Sequence, residues 1–277
     1  LGCLLGIILL SKRFYKIYKG KISFETEIPD KMSDPKNSNF KRKTVSSIYL
    51  YGGFQVFDKD GNDISIQFTP TLFVLILFYQ SKNDKGISSN RLTEILWYDK
   101  LNNSAKNNRN VNISKLRMLL EKIGDIRLDH DSSYWVLSFG EDLYCDYVYS
   151  INQLINLSEN TTEEDIYKFL KTISVGTICQ DIQNDWIDDF RNEIENNLID
   201  GLEKLSGMNL ASYLLVLISD TILQYAPLNE EAIILKCKTL YSMGKKGLAK
   251  RGYDSFCDKY VELLDSKFEI SFNEIVK

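Results

Sequence analysis

The chain has 277 residues, 44% of them apolar and 26% charged, which excludes a disordered polypeptide and suits two globular domains. Its net charge of −4 hides an asymmetry: basic residues lead acidic ones seven to four over residues 1–40 and fourteen to ten over 41–140, whereas acidic residues lead twenty-four to thirteen over 141–277. One half suits a polyanion and the other does not, with chance clustering of solvated charge as the open alternative.

The chain opens on the uniformly apolar LGCLLGIILL (Leu1 to Leu10), followed at once by Lys12, Arg13, Lys16, Lys19 and Lys21. A helix needs about 20 apolar residues to cross a bilayer core, so this stretch covers about half of one. Residues 1–21 are therefore expected to be the end of a transmembrane helix and its basic flank. That places the chain at the inner membrane, attached through this segment, with the remainder in the cytoplasm. A short buried helix and a cleaved signal-peptide core stay open beside this reading. Residues 22–46, with Pro29, Pro35 and a polar Ser/Asn/Lys-rich run, read as a linker.

The next stretch, 47–145, changes character several times. IYLYGGFQVF (Ile48 to Phe57), a Lys59 to Asn62 turn and Ile64 to Phe68 predict two or three short antiparallel strands. Thr69 and Pro70 then start a helix through the apolar run Leu72 to Tyr79. Ser88 or Ser89 caps a second helix with Leu92, Ile95 and Leu96 on one face. The Asn/Lys-rich DKLNNSAKNN reads as a loop before a third helix that ends near Ile123 and Gly124. Ile126 to Leu128 and Tyr134 to Phe139, joined by DHDSS, read as a hairpin. Strands, three helices and a hairpin are the layout of a winged helix-turn-helix, whose third helix enters the major groove of DNA.

Residues 146–277 read as helical. Trp186, Ile187, Phe190, Ile194, Leu198, Leu202 and Leu205 recur at spacings of three and four. Tyr241, Gly244, Ala249 and Tyr253 resemble a tetratricopeptide unit, with a generic helical hairpin as the alternative. The expected fold class is mostly α with small β: an α+β winged helix-turn-helix followed by an all-α, tetratricopeptide-like domain.

Catalytic chemistry has little to build on. The five cysteines (Cys3, Cys145, Cys179, Cys237, Cys257) are scattered and never form C-x-x-C, and the one histidine, His130, sits in the DHDSS turn. No cofactor, metal or enzymatic activity is expected. The acidic group Asp185, Asp188 and Asp189, the one hint of a hydrolase, reads as the solvated face of an amphipathic helix.

On the third helix Leu116, Leu119, Leu120 and Ile123 fall on the side of Ile113. Asn107, Val111, Ser114 and Met118 fall opposite, flanked by Asn108, Asn110, Lys115 and Arg117. Asn can bridge adenine N6 and N7, Lys reaches guanine and Val meets a thymine methyl, so this face suits DNA. An ordinary solvated face is the alternative.

The stretch ILWYDKLNNSAKNNRNVNISKLRMLLEKI resembles the effector domain of OmpR-class response regulators and of the Streptomyces antibiotic regulatory protein family. The resemblance rests on Leu96 with Trp97, then Val111, Ile113, Ser114, Leu116 and Arg117, and continues into Tyr134 and Trp135. CDYVYSINQLINL and the later helices are similar to the bacterial transcriptional activator domain of the same family. The resemblance implies base-reading and groove-lining positions at Asn108, Asn110, Val111, Ser114 and Lys115, with phosphate contacts at Trp97, Asn107 and Arg117. Asn107 and Ser114 stand where many relatives carry arginine, which implies weaker phosphate attraction per monomer. For Trp97 and Tyr134, direct contact and core packing both remain open. The function implied is a sequence-specific transcriptional regulator, the cytoplasmic output part of a membrane-anchored sensor, that binds double-stranded DNA as a homodimer or on tandem half-sites and contacts RNA polymerase or another regulator. An adaptor whose winged helix serves protein contacts alone is the alternative.

Overall fold

The computed structural model describes residues 46–82, 85–158 and 161–277. They divide into a first unit, residues 46–48 with Gln55–Cys145, and a second, Tyr49–Phe54 with Asp146–Lys277. The first unit carries two small sheets and three helices, and the second is built from helices, so the fold is mostly α with small β.

In the first unit, β1 (Ser47–Tyr49), β2 (Gln55–Phe57) and β6 (Tyr144–Cys145) form a sheet in the order β2-β1-β6. β1 and β6 run parallel, with Ser47 opposite Tyr144 and Ile48 opposite Cys145. The strand expected over Ile64 to Phe68 is instead a 3-10 turn at Ser65–Gln67. Side chains replace the ladder there: Ser65 Oγ accepts the Val56 N–H at 2.8 Å and the Asp63 carboxylate accepts the Ser65 N–H at 2.9 Å.

Helix α1 (Pro70–Lys82) starts on proline, whose missing N–H costs nothing in a first turn. It buries every residue from Leu72 to Phe78 and so forms the centre of the unit. Its buried Gln80 works as a piece of strand, donating from Nε2 to the Leu137 carbonyl at 2.6 Å and accepting the Leu137 N–H through Oε1. After β3 (Ile87–Ser88), Ser88 caps α2 (Ser89–Leu96) by accepting the Arg91 N–H.

Helix α3 (Asn102–Ile123) begins inside the stretch expected to be a loop. That stretch has no Gly or Pro to stop a helix, and Ala105 anchors it at 2% exposure. Asn side chains satisfy carbonyls one turn back, Asn108 Nδ2 to Ser104 O and Asn112 Nδ2 to Asn108 O, both at 2.9 Å.

Strands β4 (Ile126–Asp131) and β5 (Tyr134–Phe139) form the hairpin, with Ile126 opposite Phe139 and Asp131 opposite Tyr134. Ser132 and Ser133 connect them, both at positive φ (48° and 73°), as the right-handed twist of a two-residue hairpin turn demands. β3 adds to the other edge of β5 in the order β3-β5-β4. Gly86 is required just before it, since a Cβ there would lie 2.1 Å from the Trp135 carbonyl oxygen.

The second unit comprises α4 (Asp146–Asn156), α5 (Glu163–Ile173), α6 (Asp185–Ser206), α7 (Ser212–Tyr225), α8 (Glu230–Ser242), α9 (Lys246–Leu264) and α10 (Phe272–Ile275). Helices α6 to α9 pack on their sequence neighbours through short loops, which makes them antiparallel. Ala249 is fully buried where α8 and α9 meet, and its carbonyl lies 3.6 Å from Cys237 Sγ. The segment Tyr49–Phe54 belongs to this unit. The Gly52 N–H bonds Thr177 O and the Cys179 N–H bonds Leu50 O, while the Asp181 carboxylate accepts the Phe54 N–H.

Buried Asp146 secures the same segment, accepting the N–H groups of Leu50 and Tyr51 from across the unit and that of Tyr147 beside it. Burial pushes its carboxyl up to about 7, against the downward pull of those N–H groups.

The inner-membrane location and membrane attachment expected from the sequence are corrected: among the described residues no helix is long and apolar enough to cross a membrane. The two longest described helices hold six and nine charged residues. Residues 1–21, on which the expectation rested, lie outside the described residues, as does the 22–46 linker up to its last residue.

Candidate nucleic-acid interface

Helix α3 divides sharply along its length. Ile113, Leu116, Leu119, Leu120 and Ile123 are buried at no more than 6% exposure, and they recur at the three- and four-residue spacing of one stripe. Opposite them Asn107, Asn110, Val111, Ser114, Lys115 and Met118 are exposed, Val111 at 67% and Met118 at 59%. Two exposed apolar side chains thus stand among amides, a hydroxyl and an ammonium.

The hairpin is joined to this helix through Ser89. The Ser89 N–H bonds the Ser133 carbonyl at 2.8 Å, its Oγ accepts from Trp135 Nε1 at 2.9 Å and lies 3.4 Å from His130 Nε2. Its carbonyl accepts from Arg109 Nη1 at 3.0 Å, and the same guanidinium nitrogen reaches Thr93 Oγ1 at 3.1 Å. One serine thus links α2, α3 and both hairpin strands. Trp135 adds a second link, stacking with His130 at 4.1 Å and lying beneath the Arg117 guanidinium at 5.3 Å. Arg117 also donates from Nε to the Leu128 carbonyl at 3.2 Å.

The residues singled out from the sequence fall into three groups. Asn107, Asn110, Val111, Ser114 and Lys115 share the exposed side of α3, with Asn108 half-buried at its margin. Arg117 is exposed but turned toward the hairpin by its contacts with Leu128 and Trp135. Trp97 and Tyr134 lie off the helix and are half-buried: Trp97 closes α2, with its N–H on the Thr93 carbonyl, and Tyr134 opens β5 opposite Ser88.

Sequence reasoning treated Ser89 only as a cap and gave Arg109 no role. Both act through non-local contacts that no local spacing announces. Arg127, exposed on β4 of the hairpin, was also passed over, and alternation along the strand was the signal that could have found it.

No family model matches the chain, and no curated protein matches it. Among solved structures it is similar to EmbR of Mycobacterium tuberculosis, solved in complex with a low-affinity phosphopeptide, at a TM-score of 0.57 and 14% identity. The likeness covers 83% of this chain and 64% of that one, so this chain spans a little under two thirds of its neighbour's length. At that identity the likeness shows a shared fold alone, and this chain's own elements agree with the mostly α, small β winged helix and helical domain expected from the sequence.

Proposed function

We propose that the chain is a non-catalytic, sequence-specific DNA-binding regulator of transcription. In this reading α3 lies in the major groove, the β4–β5 hairpin reaches along the backbone, and the helical unit makes protein contacts, with RNA polymerase, another regulator or a second copy. The observation that carries it is the exposed side of α3. A 22-residue helix holding five basic residues and one acidic one displays Val111 and Met118 to solvent beside Asn107, Ser114 and Lys115. That mix of methyl-bearing, amide, hydroxyl and ammonium groups suits the methyl, donor and acceptor edges of the major groove. Likeness of fold to EmbR and the resemblance of residues 95–123 to OmpR-class effector domains support the same reading.

The test is a titration of the 277-residue chain against a random-sequence duplex pool from low to moderate salt. Binding whose logarithm falls linearly with that of salt is expected, because each phosphate contact releases counterions. No retention of duplex at low salt would overturn the proposal in favour of an adaptor role.

A further inference from the structure

The structure also bears on which bases such a helix would read. Arginine, bidentate to guanine O6 and N7, is the commonest specific reader of G·C pairs. Helix α3 has two arginines, and each gives a guanidinium nitrogen to the fold away from the centre of the exposed face. Arg109 gives Nη1 to the Ser89 carbonyl and Thr93 Oγ1. Arg117 gives Nε to the Leu128 carbonyl and lays its guanidinium over Trp135.

Beside them the exposed face offers Asn107, Val111, Ser114, Lys115 and Met118. Asn107 has no hydrogen-bond partner among the described residues, so both ends of its amide can meet the N6–N7 edge of adenine. Val111 and Met118 can meet only an apolar group, and the thymine methyl is the apolar group of the major groove. Lys115 is the one cation at the centre of the face. From Asn107 to Met118 the helix advances about 16 Å, which matches four to five base pairs at about 3.4 Å each.

We infer that α3 reads an A·T-rich half-site, with thymine methyls against Val111 and Met118, adenine against Asn107, and no more than one G·C pair, beneath Lys115. This rests on the DNA-binding reading, and its test separates the two. The full chain is used to select from a random duplex library, and the selected site is then remade with single thymines replaced by uracil, which lacks only the methyl. The expected core is A·T-rich. Loss of one buried methyl should weaken binding about fourfold in the wild-type protein. Val111→Ala, a change at a solvent-exposed position, should abolish that penalty at one thymine.

A core dominated by G·C pairs, or an A·T-rich core indifferent to uracil, would overturn the inference while leaving DNA binding intact. Recovery of no duplex at low salt would overturn both.

Discussion

Helices α3 and α6 are each 22 residues long and each bury one stripe of aliphatic side chains, yet they present opposite chemistry to water. In α3 the stripe runs through Ile113, Leu116 and Leu120, and in α6 through Ile187, Ile194 and Leu198. The complement of α3 carries five basic residues against one acidic, whereas that of α6 carries seven acidic against two basic. Spacing of the apolar residues builds both helices alike, so it says nothing about their use. What distinguishes them is the residue choice on the side that packing leaves undecided: exposed apolar residues on α3, and on α6 a run of carboxylates such as Asp188, which pairs with Arg191.

The shared half of that comparison is broken by the largest effects. Leu116→Ala in α3 and Leu198→Ala in α6 each remove a side chain with at most 4% exposure. Each should cost about 2–5 kcal/mol of unfolding free energy. Chemical denaturation followed through tryptophan fluorescence can follow both units, since Trp97 and Trp135 lie in the first and Trp186 in the second. A loss under about 1 kcal/mol at either site would show that the stripe there is not core.

Much of the first unit was legible because its signals are local. Ser88 before an amphipathic run, Pro70 at a helix start and the Ile113 to Ile123 periodicity fix helices by backbone satisfaction and by one buried face. Three features were not legible. Ile64 to Phe68 has the apolar content of a strand, but Asp63 and Ser65 supply competing side-chain bonds. DKLNNSAKNN looks like a loop by composition, yet the asparagines back-bond to carbonyls and continue the helix. The segment Tyr49–Phe54 pairs with residues 177–181 and Asp146, contacts more than ninety positions away along the chain. The exposed side of α3 was readable by projection, while the contacts that turn Arg109 toward α2 and Arg117 toward the hairpin were not.

Asp146 offers a way to sharpen the second unit's side of the comparison, since here an acidic residue is structural. In Asp146→Asn an amide N–H₂ must replace one carboxylate oxygen and face an N–H of Leu50 or Tyr51. The expected loss is about 1–3 kcal/mol. The wild-type site also has a defined pH dependence. Its folded pKa, about 7, lies above the ordinary 3.8, so between these values the folded state holds the extra proton. The stability it contributes is complete below about pH 4 and is lost as pH rises through 7. Unfolding free energies measured from pH 5 to 8 should decline in the wild-type protein and decline less steeply in Asp146→Asn. Equal slopes would remove Asp146 as the cause.

For α3, Lys115→Ala should weaken binding to a selected DNA site by about 1–3 kcal/mol and leave the unfolding curve unchanged, because the side chain is exposed. Retained affinity would move the recognition surface away from the centre of the helix. The same surface carries a salt signature: if Lys115 meets a phosphate rather than a base, the variant's salt slope falls by about one. If it meets guanine, the loss concentrates on sites that carry that base.

The smallest expected effect is the sharpest test of the division of labour between the two helices. Asp189 and Asp200 are exposed on α6 and stand for the acidic side of the comparison. If that helix lay against DNA, each carboxylate would oppose phosphate, and its neutralisation would raise affinity, most of all at low salt. If α6 stands away from DNA by more than the Debye length, about 8 Å at physiological ionic strength, screening removes the interaction. Asp189→Asn combined with Asp200→Asn should therefore leave DNA affinity within about twofold of wild type, and stability within about 0.5 kcal/mol for each exposed site. A rise in affinity of about fivefold or more that fades with added salt would place the acidic helix beside the backbone.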